Sequence, residues 1–359
     1  MSNSVQNQRY QVELELHDYQ SRYQQSLAEL AEAEAIERIW RKDHTLWQPD
    51  PKEVSNRLGW LTSPEKMRAV LPELEELAAD LHRAGLRQAV LLGMGGSSLA
   101  PEVFRETFGV QPDRLELEVL DSTDPAAVHQ LSSSLALPET LFVVASKSGT
   151  TVETLSFFKY FYNQVEQAVG SDKAGQHFLG ITDPESRMVE IGERYHFRRV
   201  FTNDPDIGGR YSALSYFGLV PAALVGVNLE ELIERALTAA SDCKQSLAGQ
   251  VNPAAALGVA LAELSKAGRD KLTFAISAEL SHFGNWVEQL LAESTGKEGK
   301  GILPVLAEPL GDSAVYRDDR VFVHLRLPED SEHNERLAAL SQAGHPLIRL
   351  ELEDRYDLG

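Results

Sequence analysis

Twice along this chain, short apolar runs alternate with segments of helical periodicity, and that rhythm leaves few folds open. The first series has runs at 88–92, 115–120, 141–145, 177–181 and 198–201. The second has runs at 271–276, 302–306, 321–325 and 346–350, with helical patterns over 281–295 and 332–342 between them. Strands that are apolar on both sides need cover on both faces, and helices supply it while crossing from one parallel strand to the next. The expectation is an α/β protein with two α/β/α sandwich domains built on parallel sheets, plus helical N-terminal and linking segments.

The remaining segments lack that alternation. Residues 10–41 are rich in Glu, Gln, Leu and Ala with no Gly or Pro, which predicts a long helix ending before Trp47-Gln48-Pro49-Asp50-Pro51. Met67, Val70, Leu71, Leu74, Leu77, Ala78 and Leu81 recur at helical spacing over 65–84, and 212–268 reads as helical almost throughout. The expected division is a helical N-terminal segment (1–64), a first domain (65–226), a helical connection (227–270) and a second domain (271–359). The two series are compatible with distant copies of one design. After its last predicted strand the chain ends at Arg355-Tyr356-Asp357-Leu358-Gly359, with no covering helix behind it. Because a parallel sheet is covered on both faces, a further crossover element is expected beyond Gly359 in the native chain, the alternative being an edge strand with a short tail.

Charge narrows the range of partners. With 34 Lys and Arg against 54 Asp and Glu, the formal charge is −20, which argues against nucleic acid or an anionic membrane as partner. An anionic ligand must therefore be held by local geometry rather than by the overall field. No run approaches the roughly 20 apolar residues of a membrane helix, and the polar start is unlike a signal peptide. The single cysteine, Cys243, rules out an internal disulfide and fits a reducing cytoplasm.

Three loops and one helix carry chemistry. Gly93-Met94-Gly95-Gly96-Ser97-Ser98 follows a strand and opens a helix. Glycines admit close backbone approach, and a helix start offers N–H groups to anions, although a ligand-free tight turn would look the same. Ser98 stands where a dinucleotide fingerprint needs glycine. The second loop, Ser146-Lys147-Ser148-Gly149-Thr150-Thr151, places five hydroxyl or ammonium side chains in six positions, more donors than a helix cap requires. It lacks the Gly-Lys-Ser/Thr of a Walker loop and suits a monoester phosphate, the alternative being an over-endowed cap. The third, Asp206-Ile207-Gly208-Gly209-Arg210-Tyr211-Ser212, presents a guanidinium beside an apolar helix, either as a clamp for an anion or enediolate or as a structural partner of a carboxylate.

The helix over 281–294 places Phe283, Trp286, Val287, Leu290, Leu291 and Ser294 on one stripe, with Gln289 and Glu293 on its border and Gly296 as its stop. A carboxylate in the last turn opposes the helix dipole, which suits a general base. The plainer reading is a solvated charge near Lys297.

Taken together, Gly95-Gly96-Ser97, residues 146–151, Gly208-Gly209-Arg210-Tyr211-Ser212 and residues 289–297 resemble the glucose-6-phosphate isomerase family, in order and separation, from about residue 40 onward. The similarity is greatest to the bacterial branch that also occurs fused behind a transaldolase. The resemblance implies two sugar-isomerase (SIS) domains and interconversion of glucose 6-phosphate and fructose 6-phosphate without metal or organic cofactor. It assigns the phosphate to Gly96, Ser97 and Ser146, Lys147, Ser148, Gly149, Thr150 and Thr151. Arg210 would stabilise the enediolate, Glu293 would move the proton between C2 and C1, and Gln289 would bind the sugar. Family members are commonly homodimers.

Two departures stand out. The family's ring-opening histidine has no counterpart in residues 308–316, and its C-terminal ring-opening lysine lies in a helix that this chain does not contain. His324, within a strand-like run, reads as a satisfied core histidine, and His282 as a cap or surface residue. The alternatives to the isomerase are a non-catalytic sugar-phosphate-binding protein, for which Arg210 and Glu293 would be unnecessary, and an isomerase of another phosphosugar such as mannose 6-phosphate.

Overall fold

The computed structural model describes residues 3–6, 10–247 and 252–359. The chain divides into two compact units, Asn56–Ile233 and Met1–Ser55 with Glu234–Gly359. Eleven strands are described, in chain order β1 (Asn3–Gln6), β2 (Tyr10–Glu15), β3 (Gln88–Leu92), β4 (Glu116–Leu120), β5 (Thr140–Ala145), β6 (Phe178–Thr182), β7 (Arg199–Thr202), β8 (Lys271–Ile276), β9 (Leu303–Val305), β10 (Arg320–Arg326) and β11 (Leu347–Leu352).

In the unit Asn56–Ile233, β3 to β7 form a wholly parallel sheet in the order β4-β3-β5-β6-β7. Val90, Leu92, Phe142 and Val144 pack with Phe157, Phe158, Phe161 and Val165 of the helix Val152–Val169. The alternate residues Ala89, Leu91, Leu141 and Val143 are equally buried, so both faces are covered, as their uninterrupted apolar character required. Phe142 stacks on Phe161 and Phe178 at centroid distances of 4.8 and 5.2 Å. The helix expected over 65–84 is two helices, Ser63–Arg68 and Leu71–Arg83. Pro72, with no N–H to donate, fits only the first turn of the second.

The chain leaves β3 toward β4 on one side and returns to place β5 on the other. The crevice outside the carboxyl ends of β3 and β5 is therefore the topological switch point of the sheet, where open α/β sheets take their ligands.

In the other unit, β8, β9, β10 and β11 are parallel in the order β9-β8-β10-β11, the same succession as the first four strands of the first sheet. The fifth place goes to β2, which runs antiparallel to β11, with β1 antiparallel beyond it. This corrects the expectation of one long helix over 10–41. Tyr10–Glu15 is a strand, and helix begins only at Gln20, running to Glu32 and again over Ala35–Trp40. Val12, Leu14 and Leu16 alternate with polar Gln11, Glu13 and Glu15, and all three apolar residues are buried. These residues are good helix formers by composition, yet in the fold their period of two decides. Register places Val12 opposite Leu350, Leu14 opposite Ile348 and Glu13 opposite Arg349. Arg349 also pairs with Glu15.

The expected boundaries shift accordingly. Residues 1–64 are not a separate helical segment, because residues through Ser55 belong with the second sheet. The connection expected over 227–270 is likewise divided. The helix Leu229–Cys243 crosses the boundary between units, while Pro253–Lys266 packs Ala256, Val259, Ala260 and Leu264 into the same core as Val12 and Leu14. The last strand, β11, lies between β10 and β2, so the edge-strand reading does not hold. Among the described residues, no helix is long and apolar enough to cross a membrane.

His324 on β10 also differs from expectation. It is fully buried, but neither ring nitrogen has a hydrogen-bond partner. Burial pushes its pKa from 6.5 down to about 4, helped by the charges of Arg326 and His333 and opposed by Asp330 and Glu351. Between those two values the unfolded chain holds a proton that the folded chain does not, so this ring's contribution to stability is lost as pH falls from 6.5 toward 4. His324→Phe should therefore improve relative to wild type by about 1 kcal/mol between pH 7.5 and 5.5 in chemical denaturation. An unchanged difference would contradict this account.

Candidate active site

The two donor-rich loops stand at the carboxyl ends of β3 and β5, on either side of the switch point. After β3, Gly95 turns the chain at φ 54°, and Gly95–Ser97 forms a short 3-10 turn leading into the helix Leu99–Phe108. Buried Ser98 donates to the Gly95 carbonyl at 3.0 Å, while Ser97 stays half-buried at the rim. Gly96 lies so close to the third loop that a Cβ would sit 2.4 Å from the carbonyl carbon of Gly209 and 2.9 Å from the Arg210 nitrogen. Ser212 fastens that approach, donating to the carbonyls of Gly209 at 2.7 Å and Gly96 at 3.3 Å.

After β5, buried Ser146 and half-buried Thr151 join their hydroxyls at 2.9 Å, and Ser146 Oγ accepts from the Gly149 amide at 3.1 Å. Gly149 is required twice over: its φ is +65°, and a Cβ would meet the Met188 nitrogen at 2.6 Å. The exposed pair Ser148 and Thr150 is also joined, at 2.9 Å. Because Thr151 Oγ1 bonds to Ser146 rather than capping its own helix, Val152–Val169 begins without a side-chain cap. That leaves the positive end of an 18-residue helix dipole beside four hydroxyls.

Lys147 differs from its expected place. Its ammonium donates to Asp183 and, at 2.9 Å, to the Pro205 carbonyl. Burial raises the Asp183 pKa, an effect that Lys147 opposes. Asp183 was not singled out in the sequence. Its position immediately after β6, at the same carboxyl edge as the other loops, was the available signal.

The third loop, Gly208-Gly209-Arg210, follows β7. The Arg210 guanidinium lies 4.8 Å from the centroid of Tyr211, and Tyr211 stacks on Trp60 at 5.5 Å and 14°. This aromatic support, also missed in the sequence, fixes the plane in which the guanidinium fork is offered.

In the other unit, Gln289 and Glu293 lie on the helix Phe283–Thr295. Glu293 is exposed, whereas the amide oxygen of Gln289 is buried with no hydrogen-bond partner. Lys297 donates to the carbonyls of Glu293 and Ser294 at 2.8 and 3.0 Å, so a cation already covers the negative end of this helix. His282 occupies the N-cap position and makes no side-chain cap bond. Among the described residues, no three His, Cys, Asp or Glu side chains converge as a metal site would need.

Residues 67–301 match the family model described as phosphoglucose isomerase. The chain belongs to this family. Phosphoglucose isomerase relatives include the glucose-6-phosphate isomerase of Citrifermentans bemidjiense, 30% identical over 69% of this chain and 51% of that one. That of Carboxydothermus hydrogenoformans is 32% identical over 68% of this chain and 54% of its own length. The chain thus spans about half the length of the curated relatives it matches. Among solved structures, a glucose-6-phosphate isomerase from Chlamydia trachomatis superposes with a TM-score of 0.77, covering 98% of this chain and 80% of that one at 18% identity. A hypothetical protein from Thermus thermophilus gives 0.75 at 24% identity, covering 96% and 88%. At these identities the structural matches speak for the fold, and they agree with the two-sheet architecture.

Gly96→Ala should show how tightly the first and third loops are joined. The nearest atoms to the new methyl group are all backbone, of Gly209 and Arg210, so no side chain can swing away. We expect a stability loss of about 1–3 kcal/mol and weakened binding of fructose 6-phosphate, measured by thermal unfolding and calorimetry. Unchanged stability and affinity would show that the loops can separate freely.

Proposed function

We propose that this chain is an aldose–ketose isomerase that interconverts glucose 6-phosphate and fructose 6-phosphate. The observation that carries the reading is the meeting of three loops at the carboxyl edge of one parallel sheet: the glycine turn after β3, the hydroxyl cluster after β5, and the Arg210 loop packed against Gly96. Hydroxyls and helix-start amides suit a phosphoryl group, which explains how a chain of charge −20 can select a dianion.

In this reading Gly96, Ser97, Ser146, Ser148, Gly149, Thr150 and Thr151 hold the phosphate, and Gln289 offers its orphan oxygen to a sugar hydroxyl. Glu293, as carboxylate, removes the proton from C2 of the open-chain aldose. The electron pair left behind forms the C1–C2 double bond of a cis-enediolate, with its negative charge beside Arg210. Passage of the hydroxyl proton from O2 to O1 and return of the abstracted proton to C1 give the ketose, so nothing is oxidised or reduced overall. The homodimer expected from the resemblance and the cytoplasmic setting expected from the single cysteine belong to the same proposal.

A coupled assay starting from fructose 6-phosphate and detecting glucose 6-phosphate tests the activity directly, with mannose 6-phosphate formation as the competing outcome. Glu293→Gln should lower turnover by about 10³-fold while leaving phosphate-dependent binding intact. Retained turnover would remove Glu293 from the chemistry. Arg210→Lys keeps the charge but loses the planar fork, and kcat should fall about 10²-fold with little change in KM. Kinetics close to wild type would overturn the clamp.

A further inference from the structure

We propose that Lys147 is a positioning residue that ties the hydroxyl-rich loop to the Arg210 loop, rather than a ligand of the phosphoryl group. The functional half of this inference rests on the isomerase reading, whereas its structural half stands without it.

Lys147 is held at both ends. Its carbonyl accepts from the Asp183 amide at 3.1 Å and from Thr182 Oγ1 at 3.3 Å. Its ammonium spans from the Asp183 carboxylate to the Pro205 carbonyl. An ammonium has three donors, and two are therefore engaged within the protein. The adjacent carboxylate also cancels most of the charge that a phosphate dianion would otherwise meet. Asp183 is the group left dependent on the bridge, because its second carboxylate oxygen is buried without a partner.

Pro205 is the lever. It stands five residues before Arg210 and has no N–H of its own with which to join neighbouring backbone. Beyond it the loop is staked at Asp206, whose carbonyl accepts from the Gly59 amide at 3.0 Å and whose amide donates to Asp204 Oδ1 at 3.0 Å. Asp204 in turn pairs with Lys66. Lys147 adds the connection from the end of β5 across β6 to the segment after β7, and so sets the distance between the hydroxyl cluster and the base of the guanidinium. A shift of about 1 Å in that distance is enough to cost a reaction a large part of its rate.

The test uses Lys147→Met and Asp183→Asn in the full chain, singly and together. For fructose 6-phosphate, each single variant should lower kcat by about 10- to 100-fold while KM stays within about threefold. The double variant should be no slower than the worse single one, because both remove the same bridge. Hydrogen–deuterium exchange should accelerate over residues 203–212 in both single variants and stay unchanged over 271–276. A KM raised more than about tenfold by Lys147→Met at unchanged kcat, with exchange unaltered, would make Lys147 a phosphate ligand and overturn the proposal. If the wild-type chain shows no isomerase turnover, the functional reading fails separately. The exchange result then still decides the bridge: acceleration upholds it, and no change refutes it.

Discussion

The donor-rich loops of the candidate site depend on the reversal of strand order at β3 and β5. A parallel sheet sends each strand's carboxyl end to the same edge, and the reversal opens a crevice there because the two following loops leave toward opposite faces. The glycine turn and the hydroxyl cluster are far apart in the chain and neighbours in the fold for that reason alone. The Gly96–Gly209 approach then brings the Arg210 loop onto the same edge, at a distance that leaves no room for a side chain at Gly96.

Electrostatics at this edge is local. The chain as a whole would repel an anion, yet the loops after β5 and β7 bring hydroxyls, uncapped amides and a guanidinium held over Tyr211, which is itself stacked on Trp60. Donors fixed in place by short bonds among themselves need little rearrangement when an anion arrives, and this preorganisation takes the place of net positive charge. Lys147, the one ammonium in the hydroxyl-rich loop, is neutralised by Asp183 and contributes architecture instead.

Much of this was legible in the residues. The parallel strands of both sheets were expected within one or two residues of their positions, since buried parallel strands are apolar throughout and stand out from amphipathic helices. The hydroxyl-rich loop announced itself by excess donors, and the glycine pairs by having no side chain where a backbone must pass. The N-terminal strand Tyr10–Glu15 did not, because Gln, Glu and Leu favour helix and its period-two pattern spans few residues. It became a strand because β11 offered an unpaired edge that its alternating Val12, Leu14 and Leu16 could extend and bury.

The sequence by itself determined which residues could be strands, which loops were rich in donors, and where glycine was obligatory, because periodicity, hydrogen-bonding capacity and the missing Cβ are properties of local residues. Only the tertiary structure decided the partners. Lys147 meets Asp183, Tyr211 meets Trp60, and β2 meets β11 across separations that no local rule spans. His324 shows the same division from the opposite side: its place in an apolar run foretold burial, but whether its nitrogens would find partners depended on what folded around it. Pairing is a property of distances in the folded chain, and sequence order does not contain them.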